Sequence, residues 1–168
     1  MDKVIVLDNC ISKYYQDWIE NTMTGSKFPW YFGEATSTKD DPNTGFSHIA
    51  YSDNGVSNYH DMLLPIVFES IRNVGFDIKE LYRIRAGLFT KGQNDGVHER
   101  HIDLPYEHHV MLYYVIDSDG PTYIWGDKEY KIDPKKGRCV FFPGNLFHAS
   151  STPKDNPKRI VINYNFKI

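Results

Sequence analysis

The sequence predicts a mainly β protein, a sandwich or barrel with two helices flanking its larger sheet. Three observations predict it. From Leu81 onward, short apolar runs are separated by turn signals at intervals of about eight to twelve residues. The 12 Tyr and 10 Phe suit a pleated surface. Two segments ahead of Leu81 carry the spacing of helices instead.

In chain order, Val4 to Leu7 reads as a first strand, broken by Asp8-Asn9. Ser12 is placed to cap a helix whose apolar positions are Tyr14, Trp18, Ile19 and Met23, with Gln16 near its start and Gly25 at its end. Phe28-Pro29-Trp30-Tyr31-Phe32 begins a strand or packs as an extended segment. Residues Thr36 to Asn58 are rich in Ser, Thr, Asp, Asn and Gly, and read as loop with a strand near Phe46 to Tyr51. Pro65 fits the first turn of a second helix, with Ile66, Val67, Phe68, Ile71 and Val74 apolar and Gly75 as terminator.

The strands then follow. Leu81 to Phe89 alternates, and Lys91 to Gly96 is a loop. Next come His98 to Asp103, His109 to Ile116, Thr122 to Trp125, Glu129 to Ile132, Arg138 to Phe142, Leu146 to Ser150 and Arg159 to Phe166. Turn chemistry divides them at Asp117 to Pro121, Gly126-Asp127, Asp133-Pro134 and Pro143-Gly144-Asn145. A length of 168 residues fits one domain, 1–168, and buries a core without needing a staple.

Net charge is −3 and there is no basic run, which weighs against a nucleic-acid grip through phosphates. Cys10 and Cys139 read as free thiols of a reducing compartment. The opening apolar run is too short for a signal peptide, and no run is long enough for a membrane span. A cytoplasmic protein is therefore expected, in the host cytoplasm if it is viral.

The chemistry centres on His101-Ile102-Asp103. In an extended segment, residues two apart share a side. A third ligand, His148, completes a two-His, one-carboxylate face, which suits non-haem Fe(II) and leaves the other side of the metal open. Such a pattern alone is common by accident. Here it is followed by a strand-rich stretch, by His148 after a Pro-Gly turn, and by Arg159 opening the last strand. His98 and His101 would share a face only on a helix, which the flanking Gly96 and Pro105 oppose. His108 and His109 face opposite ways on a strand, so at most His109 approaches the site. His48 and His60 read as surface or hydrogen-bonded residues.

The last strand has an apolar face, Ile160, Ile162, Tyr164 and Phe166, and a polar one, Arg159, Val161, Asn163 and Asn165. The polar face is either solvated or the lining of an interior pocket. In a pocket the buried Arg needs a partner such as a ligand carboxylate.

These residues, with Met-Leu-Tyr-Tyr-Val, Asp-Ser-Asp-Gly, Pro-Lys-Lys-Gly-Arg-Cys-Val-Phe-Phe-Pro-Gly, Leu-Phe-His-Ala-Ser and Arg-Ile-Val-Ile-Asn, resemble the iron(II)- and 2-oxoglutarate-dependent oxygenases. The nearest branch is the prolyl-hydroxylase-like group with its small phage-type members. The resemblance covers roughly Leu81 to Phe166. It implies a double-stranded β-helix, a cupin-like jelly-roll, over 81–168, preceded in 1–80 by a strand and covering helices. It implies His101, Asp103 and His148 as metal ligands and Arg159 as the residue pairing with the far carboxylate of 2-oxoglutarate. Alternation turns the runner-up, Lys158, away. Tyr113, on one face with Met111 and Val115, is implied as a tyrosine that hydrogen-bonds the co-substrate.

The cofactors implied are Fe(II), 2-oxoglutarate and O2, with ascorbate as a stimulant. The reaction implied is hydroxylation of a protein side chain, prolyl among them, or of a small metabolite, with release of succinate and CO2. Asp103 favours hydroxylation, since halogenating relatives lack the carboxylate. Three alternatives stand beside this: a cupin-like binding module or isomerase holding another metal, a nucleic-acid demethylase, and a structural virion protein. Neither the substrate nor the oligomeric state is legible, nor is whether loops 36–58 and 91–99 form a lid.

Overall fold

The computed structural model describes residues 3–35, 43–91 and 96–168. Parts of the two expected loops, 36–42 and 92–95, lie outside the described residues, and with them the question of a lid. The elements are β1 (Ile5–Leu7), α1 (Lys13–Thr24), β2 (Tyr31–Gly33), β3 (Gly45–Ser52), β4 (Gly55–Val56), α2 (His60–Arg72), β5 (Glu80–Thr90), β6 (His109–Tyr114), β7 (Thr122–Trp125), β8 (Glu129–Ile132), β9 (Cys139–Pro143), β10 (Phe147–Ala149) and β11 (Lys158–Lys167).

The large sheet runs β1-β9-β6-β11-β5-β3-β2, with β4 paired to β3, and a small sheet runs β10-β7-β8. Each of these pairings is antiparallel. Two such sheets closing on one another make the jelly-roll.

Strand alternation divides the core in two. Ile84, Ala86, Met111, Tyr113, Phe141, Ile160, Ile162, Tyr164 and Phe166 pack on one side of the large sheet with Ile19 and Met23 of α1 and Leu63, Ile66, Val67 and Ile71 of α2. Phe89, Val110, Leu112, Tyr114, Val140, Phe142 and Val161 point the other way, toward Ile124 and Ile132 of the small sheet. Each fully buried large side chain contributes about 1.5–3 kcal/mol of transfer free energy, so both layers hold the large sheet in place.

The helices differ in detail from the pattern. Ser12 caps α1, its hydroxyl accepting from the Tyr15 N–H at 3.3 Å. The buried face, however, is Gln16, Ile19 and Met23, while Tyr14 and Trp18 are exposed. Gln16 is buried because its amide donates to the Ile11 carbonyl at 2.9 Å. In α2 Pro65 lies inside the helix, which starts at His60, and Phe68 faces outward. Gly75 ends the segment in the left-handed region, at φ 77°, which a glycine adopts without a side-chain clash. Residues 98–103 do not form a strand. Isolated bridges fix the segment instead, Val97 with Ser151 just ahead of it and His101 with His148 within it.

The cysteines are a correction. Cys10 and Cys139 form a disulfide, with Cα atoms 6.4 Å apart, so the expectation of free thiols does not hold. Support drawn from free thiols for a reducing compartment goes with it. No described helix is long and apolar enough to cross a membrane.

Candidate active site

The bridge between His101 and His148 builds the site. Each backbone N–H donates to the other's carbonyl at 3.0 Å, which brings together two imidazoles far apart in sequence. Their ring centroids are 4.5 Å apart. The His101 Nδ1 donates to the Glu99 carbonyl at 3.2 Å, and the His148 Nδ1 to the Leu146 carbonyl at 3.3 Å. With Nδ1 protonated on both rings, each Nε2 presents a lone pair. The Nε2 atoms lie 3.9 and 3.6 Å from the Asp103 carboxylate. The three ligand atoms fall within 4.8 Å of one another, a cluster that could hold a metal ion.

Asp103 is braced. Arg83 donates through Nη2 to Oδ1 at 2.7 Å, and Asn163 and Asn165 donate to Oδ2 at 3.0 and 2.9 Å. Arg83 also donates through Nε to the Asn165 carbonyl oxygen at 2.8 Å, which orients that carboxamide. Burial alone would raise the Asp103 carboxyl. His148, Arg83 and the two carboxamides oppose it and hold the group well below the usual carboxylate range. Burial lowers His148 to about 4, against the pull of Asp103. At neutral pH the carboxylate is therefore ionised and His148 neutral, the forms that bind a metal.

Arg159 is 1% exposed, so the polar face of β11 lines an interior rather than solvent. Its Nη2 donates to the Thr122 hydroxyl at 2.8 Å, and its guanidinium lies 5.2 Å from the Phe89 ring and 5.6 Å from the Tyr114 ring. Gly120 permits this approach, since a Cβ there would sit 2.6 Å from the Ser151 carbonyl oxygen and 3.1 Å from Arg159 Cδ. Asp119 accepts backbone N–H bonds from Lys154, Asp155 and Asn156, which pins the turn leading into β11. That gives the Asp-Ser-Asp-Gly stretch a structural purpose.

His101, Asp103, His148, Arg85, Thr122 and Arg159 line one cavity between the sheets. Several of its polar atoms are buried without a hydrogen-bond partner among the described residues: His148 Nε2, Arg159 Nε and Nη1, and Asn163 Oδ1. Leaving such groups buried costs about 1–3 kcal/mol each, and more for charged ones, so the cavity is built for a polar guest. A wider cleft of about 910 Å³ adjoins it at Asp103, between Ile102–His109 and Pro143–Leu146.

Tyr113 is not in this cavity. Its side chain is buried in the helix-covered layer, on the far face of β6. Alternation turns Tyr114 inward instead, and its hydroxyl donates to the Thr122 hydroxyl at 2.6 Å. Met111, Tyr113 and Val115 do share a side, as expected, but it is the side the helices cover. Sequence reasoning also passed over Arg83 and Thr122. The helix-facing positions of β5, Ile84 and Ala86, leave Arg83 for the other face, a signal that was present. Nothing marks Thr122.

No protein-family model matches the chain, and no curated protein matches it in sequence. Solved structures do match. An oxidoreductase of the 2OG-Fe(II) oxygenase family from Burkholderia pseudomallei aligns with TM-score 0.77 and 13% identity, over 98% of this chain and 84% of that one. A prolyl hydroxylase from Trichoplax adhaerens, in complex with a hypoxia-inducible-factor oxygen degradation domain peptide, aligns with TM-score 0.70 and 14% identity, over 99% and 84%. A viral collagen prolyl hydroxylase of Paramecium bursaria Chlorella virus-1, in its 2OG complex, aligns with TM-score 0.62 and 16% identity, over 97% and 94%.

The fold is that of the 2OG-Fe(II) oxygenases. At these identities the likeness speaks for the jelly-roll architecture, and the chemistry rests on the side chains of the cavity.

Proposed function

We propose that the protein is an Fe(II)- and 2-oxoglutarate-dependent dioxygenase that hydroxylates a protein side chain, prolyl among the candidates, or a small metabolite. The observation that carries the reading is a single cavity holding both parts of the chemistry. The His101, Asp103 and His148 donors converge there, and so do the unsatisfied Nε and Nη1 of Arg159. Two imidazoles and a carboxylate are the donor set of a non-haem iron face. A buried guanidinium with two donors to spare matches a carboxylate. Residues 1–168 then form one oxygenase domain, 81–168 contributing most of the barrel and 1–80 the covering helices together with strands β1 to β4 of the large sheet.

When bound, iron and 2-oxoglutarate supply the oxidising power. Held by His101, Asp103 and His148, they would couple one O2 to two oxidations, one oxygen going to the substrate as hydroxyl and one to succinate with loss of CO2. The chain does the rest. His101 and His148, oriented through Nδ1 by backbone carbonyls, turn their Nε2 atoms toward Asp103. Arg83 and the two asparagines hold Asp103 ionised and in one orientation. Arg159, with the Tyr114 and Thr122 hydroxyls behind it, would receive the far carboxylate, and the apolar side chains of Phe89, Leu112 and Val161 would strengthen that charge pair. The Trichoplax prolyl hydroxylase, whose structure holds a peptide, makes a protein substrate a natural first candidate, and the wide cleft beside Asp103 has room for one.

The test is succinate formation from 2-oxoglutarate by the Fe(II)-loaded protein. The wild type should form it and His148→Ala should not. An iron-loaded wild type that neither binds nor turns over 2-oxoglutarate contradicts the reading, and zinc or nickel retained through purification would favour a cupin-like binding module or isomerase.

A further inference from the structure

We propose that the wide cleft beside the metal cavity carries a cation subsite, formed by Tyr82, Tyr106 and Glu107, that selects substrates bearing an ammonium or guanidinium group. The inference rests on the oxygenase reading and deepens it by naming a substrate class.

A bulge in β5 builds the subsite. Asn165 pairs with Arg83 and Phe166 with Leu81, so Tyr82 has no partner on β11. Leu81 takes the place on the helix-covered side. Tyr82 turns instead to Tyr106, with ring centroids 5.2 Å apart and planes at 79°. Bulges re-aim side chains in this way beside active sites. Tyr106 is 48% exposed and lines the cleft with Asp103 and Glu107. Asp103 is three residues back, so the subsite begins within about 11 Å of a metal ligand at the backbone.

Charge decides what it takes. The Tyr82 hydroxyl donates to the Glu80 carboxylate at 3.2 Å. Burial raises Tyr82, and Glu80, Tyr106 and Glu107 add to it from close by. No lysine or arginine is among the described residues lining the cleft, and Asp103 is already bonded by Arg83. Glu107 has no ion-pair partner among the described residues. Other surface rings of the chain carry a cation of their own, Arg100 at 3.7 Å from the Trp125 ring and Lys128 at 5.0 Å from the Tyr130 ring. The Tyr82–Tyr106 pair has two carboxylates nearby and no such cation among the described residues. A guest cation over the Tyr106 face, beside Glu107, supplies it.

His108 is an independent sign of a guest. It is 4% exposed and lines the same cleft. Its Nδ1 donates to the Tyr106 carbonyl at 2.7 Å, so in the neutral ring Nε2 is an acceptor. That Nε2 is buried with no hydrogen-bond partner among the described residues. A buried acceptor left in this state calls for a donor, which an ammonium, a guanidinium or a peptide N–H provides.

The experiment uses the full chain loaded with Mn(II) and 2-oxoglutarate. The probes are acetyl-lysine methylamide, its norleucine counterpart, which keeps the stem and lacks the charge, and butylamine. Binding is read by saturation transfer from the protein to each probe. The lysine probe should bind about tenfold more tightly than the norleucine probe, and added salt should shrink the difference. Glu107→Gln and Tyr106→Leu should each cut that preference to about threefold or less. Both side chains are exposed, so the fold should tolerate either change. Butylamine that matches the lysine probe assigns the subsite to a small amine, and a stronger lysine probe assigns it to a peptide. Equal binding of the lysine and norleucine probes, or a preference that survives both substitutions, overturns the inference and leaves the oxygenase reading intact. A lysine preference with no relaxation of 2-oxoglutarate protons by Mn(II) overturns the oxygenase reading instead and leaves the cation site.

Discussion

On β6, Tyr113 and Tyr114 are neighbours in sequence, both fully buried, and belong to different environments. Tyr113 lies with α1 and α2 in a layer of aliphatic and aromatic side chains, and its hydroxyl has no hydrogen-bond partner among the described residues. Tyr114 faces the small sheet, and its hydroxyl joins Thr122 and Arg159 in a connected polar set. The same contrast holds across the whole sheet. The helix-covered face is closed by packing and by the Cys10–Cys139 disulfide. The cavity face carries buried polar atoms of His148, Arg159 and Asn163 that have no hydrogen-bond partner among the described residues. Both faces contribute packing, and only the one toward the small sheet also carries the site's polar groups.

Five substitutions sharpen that comparison. The largest effect is expected at Arg159→Gln, which removes a charge-assisted pair worth about 1.5–3 kcal/mol and should weaken 2-oxoglutarate by about 10- to 100-fold, with metal binding retained. Titration of the co-substrate into the metal-loaded variant measures it. Arg83→Gln comes next. It touches the metal only through Asp103, and outer-sphere supports of this kind are typically worth about 10- to 100-fold in metal affinity, read by competition with a chelating dye.

The tyrosines give the direct contrast. Tyr114→Phe should raise the KM for 2-oxoglutarate about fivefold, the size of one neutral hydrogen bond. Tyr113→Phe should leave KM unchanged and the melting temperature equal or higher, because it deletes a buried hydroxyl with no partner. Equal KM effects from the two would break the two-face account.

The smallest effect belongs to the far edge of the sheet. Hydrogen bonds from Arg138 and then Lys135 lower Asp8 to about 2. An unfolded Asp8 takes up its proton near pH 4. The stability from this group is therefore complete above about pH 4 and is lost as the pH falls toward 2, so Asp8→Asn should flatten the acid limb of a melting-temperature profile within that window. The pair is partly exposed, so salt should reduce the difference.

Much of this was legible in the sequence, for physical reasons that also explain the misses. Alternation on β11 separated Ile160, Ile162, Tyr164 and Phe166 from Arg159 and the asparagines, because a strand buried on both faces still repeats every two residues. Which of two apolar faces meets the helices is a tertiary fact. Met111, Tyr113 and Val115 and their neighbours Val110, Leu112 and Tyr114 are equally apolar, so the tyrosine assignment inverted. Pro65 suits the first turn of a helix, yet α2 begins five residues earlier, at His60, and carries the proline inside it. The His101–His148 bridge is an isolated contact between irregular segments, and no local pattern announces it. The His-x-Asp spacing served in its place. The disulfide joins residues 129 apart, a separation that spacing rules cannot reach.

The central claim is that metal and co-substrate share the cavity between the sheets. Calorimetric titration of 2-oxoglutarate into the anaerobic protein, with and without Fe(II), tests it most directly. Saturable binding at one equivalent that depends on Fe(II) and weakens in Arg159→Gln is the predicted result. Binding that is absent from the metal-loaded wild type, or indifferent to both the metal and Arg159, would contradict it.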